Sequence, residues 1–342
     1  MIYRHLALAL TLAGGAPLAA QHEAPYTFVV LGHVRGGATG ELSPKLPELL
    51  QRVRAERPAF VVINGDLIWG DIDHNPTRTE VLERQWDQLD SALATLGVPV
   101  YRTPGNHDIS DLPSRDVWVR RYGAPAMAVE QHGSRFILLP SPWIPPDGDL
   151  RHNPFVRPTA LDSGKVAWLR AELGRAGPWD HTFVVMHHLL WWDASAPWWR
   201  DVHPLLQAAG VRWVFGGDLG PLKFSWVTRD SVRYVQSSME AGTQLQTLRN
   251  LEKSRLLSSQ FDTYLVVRVD GPAVDVAVRT FGEFTNPMFT PERYTAMLEP
   301  VPVPVPASAR WAAMFSVKRV LAGLLVLLTG TALGWRLARR RP

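Results

Sequence analysis

Five short apolar runs, each ending in a polar group of metal-ligand or acid/base type, constrain this chain more than any other feature. Tyr26 to Leu31 runs into Gly32-His33-Val34-Arg35, Phe60 to Ile63 into Asn64-Gly65-Asp66, and Val98 to Tyr101 into Gly105-Asn106-His107-Asp108. Thr182 to Met186 runs into His187-His188, and Val211 to Phe215 into Gly216-Gly217-Asp218. In an open α/β sheet the side chains just past the carboxyl ends of the strands converge on one crevice, so groups far apart in sequence meet there. Helical spacing recurs between the runs. Leu42 to Glu56 places Leu46, Leu49, Leu50 and Val53 on one stripe, Val81 to Leu96 repeats Leu82, Trp86, Leu89, Leu93 and Leu96, and Val166 to Leu173 reads as a third short helix. Strands alternating with helices predict a layered sheet with helices on its faces. Near the end, Tyr264 to Val269 and Val274 to Val278 flank Asp270-Gly271-Pro272, a hairpin with a short turn. Two such layers suggest an α/β fold of the four-layer αββα sandwich type.

A chain of 342 residues with 46% hydrophobic content can bury one large core. Its formal net charge of +4 belongs to the two ends: Arg4 in the first stretch, and Lys318, Arg319, Arg336, Arg339, Arg340 and Arg341 in the last, with no acidic residue beside them. The intervening body is net negative, which argues against nucleic-acid binding. With no cysteine there are no disulfides and no thiolate ligands, so any metal must be held by His, Asp, Asn or backbone oxygen.

The ends predict export and anchoring. Arg4, an apolar run from Leu6 to Leu12 and the small residues from Gly14 to Ala20 have the three parts of a secretory signal peptide, giving residues 1–20 to the signal and a mature start near Gln21. The body is assigned 21–285 and a Pro-rich linker 286–317, in which Pro alternates with Val from Pro300 to Pro306 and favours an extended polyproline stalk. Residues 318–342 read as a transmembrane helix with a basic cytoplasmic tail: Val320 to Trp335 is uncharged, and the larger cluster of cations follows it. That orientation leaves the body outside the cytoplasm, on the periplasmic side. A sorting tail that is later clipped off has the same pattern.

Taken together, Asn64-Gly65-Asp66, Pro104-Gly105-Asn106-His107-Asp108, a lone His after a strand and a final Gly-Asp-x-Gly resemble the calcineurin-like metallophosphoesterases, relatives of the purple acid phosphatases, over about residues 25 to 285. The resemblance implies a β-sandwich flanked by helices, with two metals at the strand ends bridged by Asp66. It also implies that Asn106 and His187 are ligands of the second metal, and that His107 is the acid that protonates the leaving group.

The chain departs from that pattern in its first and last motifs. The family's Asp-x-His is here His33-Val34-Arg35, and its Gly-His-x-His is Gly217-Asp218-Leu219-Gly220, so the first-metal ligands become His33, Arg35 and Gly220. An arginine does not lose its proton and cannot ligate a cation. Asp66, Asn106, His187 and Asp218 supply two carboxylates, an amide oxygen and an imidazole, a set acceptable to Mn, Fe or Zn. One divalent metal is therefore expected, with two as the alternative if His33 and other groups rebuild the first position. Arg35 places a guanidinium where the first metal would sit, so Arg35 and Asn106 are the expected substrate-binding groups. The expected chemistry is attack on phosphorus by a metal-bound hydroxide while His107, oriented by Asp108, protonates the leaving oxygen; Arg35 stabilises the developing charge.

Other features leave two readings each. Gly36-Gly37 to Gly40 is a phosphate cradle or a flexible connection. Trp191-Trp192 and Trp198-Trp199 are a platform for a sugar, base or bilayer interface, or a self-packed lid. His188 falls on the opposite face from His187 and reads as a supporting residue. Asp71, His74 and Lys223 could face the cleft or be ordinary local and surface groups. The sequence thus predicts an exported, anchored phosphoesterase acting on a small phosphoester or a phosphorylated envelope component. The alternative is a catalytically silent module that binds a phosphorylated glycan, lipid or protein partner.

Overall fold

The computed structural model describes residues 24–74, 76–142, 160–217, 224–239, 262–281 and 301–302. The chain begins with β1 (Tyr26–Leu31), α1 (Leu46–Ala55), β2 (Phe60–Asn64), α2 (Thr79–Ala94), β3 (Val100–Thr103) and α3 (Leu112–Tyr122). A hairpin of β4 (Met127–Gln131) and β5 (Ser134–Leu138) follows, then α4 (Ser163–Leu173), β6 (His181–Val185), α5 (Trp198–Asp201), α6 (His203–Ala208) and β7 (Trp213–Gly216). The last elements are β8 (Phe224–Arg229), β9 (Val232–Ser237), β10 (Asp262–Asp270), β11 (Ala273–Phe281) and β12 (Val301–Pro302).

Among the described residues the strands form two sheets, ordered β11-β10-β1-β2-β3 and β12-β8-β9-β7-β6-β5-β4. Strands β1, β2 and β3 run parallel, as do β5, β6, β7 and β9, so the carboxyl ends within each set share one edge. Side chains alternate across a strand, and β1 shows the result. Phe28 and Val30 point between the sheets, against Phe136, Phe183 and Phe215, while Val29 and Leu31 point outward under α1 and α2. A third apolar cluster covers the outer face of the second sheet with Leu169, Trp198 and Leu206 from α4, α5 and α6. Helix, sheet, sheet and helix are therefore four layers with three apolar seams, the mixed α/β sandwich that the alternating runs predict.

The helices start later or earlier than their stripes suggest, because caps and prolines set the ends. Helix α1 begins at Leu46 with Pro47 in its first turn, and α4 begins at Ser163, where the Asp162 side chain accepts from the Lys165 amide. Helix α3 is unforeseen in the sequence reading, since its apolar face is only Val117 and Trp118; Asp111 starts it with a reciprocal cap to Ser114. The β10–β11 hairpin pairs from Asp262↔Phe281 to Asp270↔Ala273, longer than expected, and β10 lies antiparallel on β1. Val301–Pro302, in the stretch expected to be an extended polyproline stalk, pairs in parallel with Val227 and Thr228 of β8. An extended Pro-Val backbone is close enough to a strand to pair at a sheet edge, where the missing proline N–H costs least.

The expected signal segment 1–20 and anchor 318–342 lie outside the described residues, as does the expected linker apart from Val301–Pro302. No helix among the described residues is long and apolar enough to cross a membrane.

Candidate metal centre

Asp66 lies two residues past the end of β2 in the left-handed region, with φ 51°, and His33, two past β1, has φ 55°. Such backbone costs on the order of 1–3 kcal/mol for a non-glycine residue and persists only where the surroundings hold it. Here the two loops hold each other: the His33 amide donates to Gly65 O at 3.1 Å and the Arg35 amide to Asp66 O at 3.0 Å. Gly65 is required by crowding, because a Cβ there would lie 2.6 Å from the His187 ring. Gly105 is required for the same reason, since its Cβ would overlap the Asp66 carboxylate. Across to the facing sheet, Asn64 Nδ2 donates to Gly216 O at 2.7 Å, tying the end of β2 to the end of β7.

Four side chains converge on the buried Asp66 carboxylate. His33 Nε2 lies 3.2 Å from Oδ2, Arg35 Nε 3.4 Å from Oδ2, His187 Nε2 3.2 Å from Oδ1, and His107 Nε2 3.9 Å from Oδ2. The His107 backbone amide also donates to Oδ1 at 3.1 Å. Burial alone would raise this carboxyl, but the His187, His107 and His33 imidazoles around it hold it well below the usual carboxylate range.

The two nearest imidazoles are oriented from behind. His187 Nδ1 lies 3.0 Å from Asn64 O and His33 Nδ1 3.0 Å from Met239 O. A carbonyl oxygen can only accept, so each Nδ1 carries a proton and each ring turns its Nε2 toward Asp66. Each Nε2 and the Asp66 oxygen it faces are held together by what lies between them, a proton or a cation. A carbonyl-backed imidazole is also the usual support of a metal-ligating histidine. The donor set of Asp66, His187 and His33 therefore fits a divalent cation such as Mn, Fe or Zn. Among the described residues no three His, Asp or Glu side chains are spaced to share an ion as they stand; these three touch one another instead.

The remaining expected residues divide. Asn106 is buried at the site with Oδ1 3.0 Å from His188 Nε2, and His188 Nδ1 contacts Ser141 Oγ at 2.7 Å, so His188 supports Asn106 from the second sheet. Asp218, with Gly220 and Lys223, lies outside the described residues. Asp108 does not orient His107. Its Oδ1 accepts from the Leu67 and Ile68 amides at 2.9 and 3.2 Å and its Oδ2 from the Gly105 amide at 2.8 Å, so it braces the two loops that carry Asp66 and His107. Burial and the Asp66 charge push the Asp108 carboxyl up to about 8, against the pull of those three donors. What holds the His107 ring is the carbonyl of Trp69, 2.7 Å from Nδ1. Burial lowers His107 to about 4, with the Asp66 charge opposing and the Arg35 guanidinium adding to the shift.

Trp69 is the site residue that sequence reasoning missed. Its ring lies 4.6 Å beneath the Arg35 guanidinium and 4.9 Å from the His107 ring. Its position three residues past Asp66 is the only available signal, and a backbone carbonyl used as a ligand leaves none. Asp71 binds Arg78 through both oxygens and His74 at 2.9 Å, a local brace apart from the Asp66 cluster. Trp191, Trp198 and Trp199 are buried in the third core cluster around Tyr234, which is the self-packed arrangement; Trp192 is 38% exposed.

The sequence matches the family model for calcineurin-like phosphoesterases over residues 38–220, a stretch that begins after the altered His33-Val34-Arg35. Among solved structures the fold is similar to a dimetal phosphatase from Danio rerio, at 14% identity and TM-score 0.51, over 75% of this chain and 99% of that one. Vacuolar protein sorting 29 from Cryptosporidium parvum aligns over 76% of this chain and 100% of its own, at 12% identity and TM-score 0.33. No curated protein matches in sequence.

Proposed function

The chain belongs to the calcineurin-like phosphoesterase family, and from that membership we propose that it is a metal-dependent hydrolase of a phosphate mono- or diester. The observation that supports this most is the meeting of Asp66, His33, His187, Arg35 and His107 past the ends of strands from both sheets, with the Nε2 atoms of His33 and His187 turned inward by carbonyls. A divalent cation held by Asp66 and His187, with Asn106 and Asp218 from the sequence, would supply Lewis acidity toward a phosphoryl oxygen and acidify water.

The protein's own groups divide the remaining work. Arg35, held between the Asp66 carboxylate and the Trp69 ring, keeps a permanent charge against phosphoryl oxygens, where charge builds in the transition state. His107, with its proton on Nδ1 toward Trp69 O, offers Nε2 as an acceptor at neutral pH. It takes the proton that the attacking water loses, and the Asp66 carboxylate 3.9 Å away stabilises the imidazolium. The leaving oxygen, on the far side of phosphorus, takes its proton from solvent, and His107 returns its own to solvent, so the ring ends neutral.

The two sequence ends support export and anchoring with the catalytic domain outside the cytoplasm, and a phosphorylated envelope component as a substrate. Fractionation of cells that express the full chain tests this: recovery in the soluble cytosol would overturn it. The binding-module reading is favoured by the Arg35–Asp66 contact, since a guanidinium there takes the place of a ligand. Purified protein, stripped with chelator and reloaded with Mn, Fe or Zn, should hydrolyse an aryl phosphomonoester or diester, and Asp66→Ala should not. Phosphate-dependent thermal stabilisation with no turnover under any metal would establish the binder instead.

A further inference from the structure

We propose that Gln85, in α2 behind the site, is a positioning residue that sets His107 and Arg35 through Trp69; the proposal rests on the hydrolase reading above. Gln85 is buried, and its carboxamide engages both backbone groups of one residue. Its Nε2 donates to Gly70 O at 2.8 Å, and its Oε1 accepts from the Gly70 amide at 3.0 Å. That pairing fixes which end of the amide is which, because a carbonyl cannot donate and an N–H cannot accept. Gly70 has φ 79°, and a Cβ there would overlap the His107 backbone oxygen, so the loop is pinned between Gln85 and the His107 backbone.

The same carboxamide reaches the other loop. A Cβ on Gly40 would lie 3.1 Å from Gln85 Nε2, so the turn closed by the Gly40 amide on Gly37 O at 3.0 Å packs on this side chain. Of the glycines that follow β1, Gly40 is thus explained by close approach to Gln85. One loop carries Arg35 and the other Trp69, and the two meet in the cation–π contact of 4.6 Å. Since Trp69 O also accepts from His107 Nδ1 at 2.7 Å, movement of the Trp69–Gly70 peptide would release both the His107 tautomer and the Arg35 stack. Supporting residues of this kind typically cost on the order of 10- to 100-fold in activity when removed.

The test compares Gln85→Leu, which removes both hydrogen bonds at similar volume, with Gln85→Glu, which keeps the acceptor and loses the donor. Gln88→Leu, on the exposed face of the same helix, is the control. The first readout is the two-bond proton–nitrogen spectrum of ¹⁵N-histidine protein, with the His107 signal assigned by its loss in His107→Gln. The second is kcat and KM for an aryl phosphate after metal loading. We expect Gln85→Leu to show mixed His107 tautomers and a kcat lower by about 10- to 100-fold, with KM moved less than about threefold. Gln85→Glu should be intermediate and Gln88→Leu should match the parent. A folded Gln85→Leu protein with an unchanged His107 signal and unchanged kcat overturns the proposal; if Gln85→Leu does not fold, an unchanged tautomer in Gln85→Glu overturns it. A shifted tautomer in protein that never turns over supports the positioning role and overturns the hydrolase reading.

Discussion

His187 and His33 flank the Asp66 carboxylate in closely matched ways, yet the halves of the site behind them differ. Each Nε2 lies 3.2 Å from a carboxylate oxygen, each Nδ1 lies 3.0 Å from a carbonyl, and the two rings are parallel to within 3°. Behind His187 come His188 and Asn106, neutral polar groups bonded to each other at 3.0 Å. Behind His33 come Arg35 and Trp69, a fixed cation on an aromatic face. The difference teaches that one carboxylate can face two unlike surroundings: neutral polar groups on one side and a fixed guanidinium on an aromatic face on the other.

Asp66 belongs to both halves, so its removal should have the largest effect. Asp66→Ala is expected to abolish metal uptake and lower kcat/KM by on the order of 10³-fold or more, read by metal content and steady-state kinetics. Retained metal in that variant would break the comparison at its centre. Asp108→Ala strands three buried amides and should destabilise the fold by about 3 kcal/mol or more, measured by urea unfolding. Its effect on the His107 tautomer should be small, because Trp69 O and not Asp108 holds the ring.

The next effect is pH dependence. The folded pKa of His107, about 4, lies below its ordinary 6.5, so the stability linked to its neutral form is fully present above about pH 6.5. As pH falls from there to about 4 the metal-free protein should lose on the order of 3 kcal/mol, after which this contribution levels off. In His107→Gln that part of the slope should disappear from unfolding curves recorded across the same range. Arg35→Ala should lower kcat by about 100-fold through lost charge stabilisation. The sharper version is Arg35→His, which replaces the cation with an imidazole and should raise the metal content from one equivalent to two; an unchanged content would show that Arg35 does not set the count. Smallest of all, Trp192→Ala should change stability by less than about 0.5 kcal/mol and leave kinetics untouched, since that ring alone of the four is exposed.

Much of this is legible in the sequence alone. The apolar runs give β1, β2, β6 and β7, the stripes give α1, α2 and α4, and His33, Asp66, His107 and His187, which end four of the runs, meet because parallel strands put their carboxyl ends on one edge. Helix α3 was not legible, since a cap and two buried side chains carry it and no stripe marks it. The use of Trp69 was not legible either, nor the backing carbonyls of Asn64 and Met239, because backbone oxygens are identical in every residue.

The sequence by itself determined the layer order, the residue types at the site and the permanent charge of Arg35, since periodicity and side-chain chemistry are properties of the chain alone. Tertiary structure alone decided which nitrogen of each histidine bears the proton, that Asp108 braces backbone while Trp69 holds His107, and that Gln85 joins the two loops. Each of those depends on a hydrogen-bond partner brought near by folding, and partner identity at about 3 Å is not encoded in the spacing of either residue.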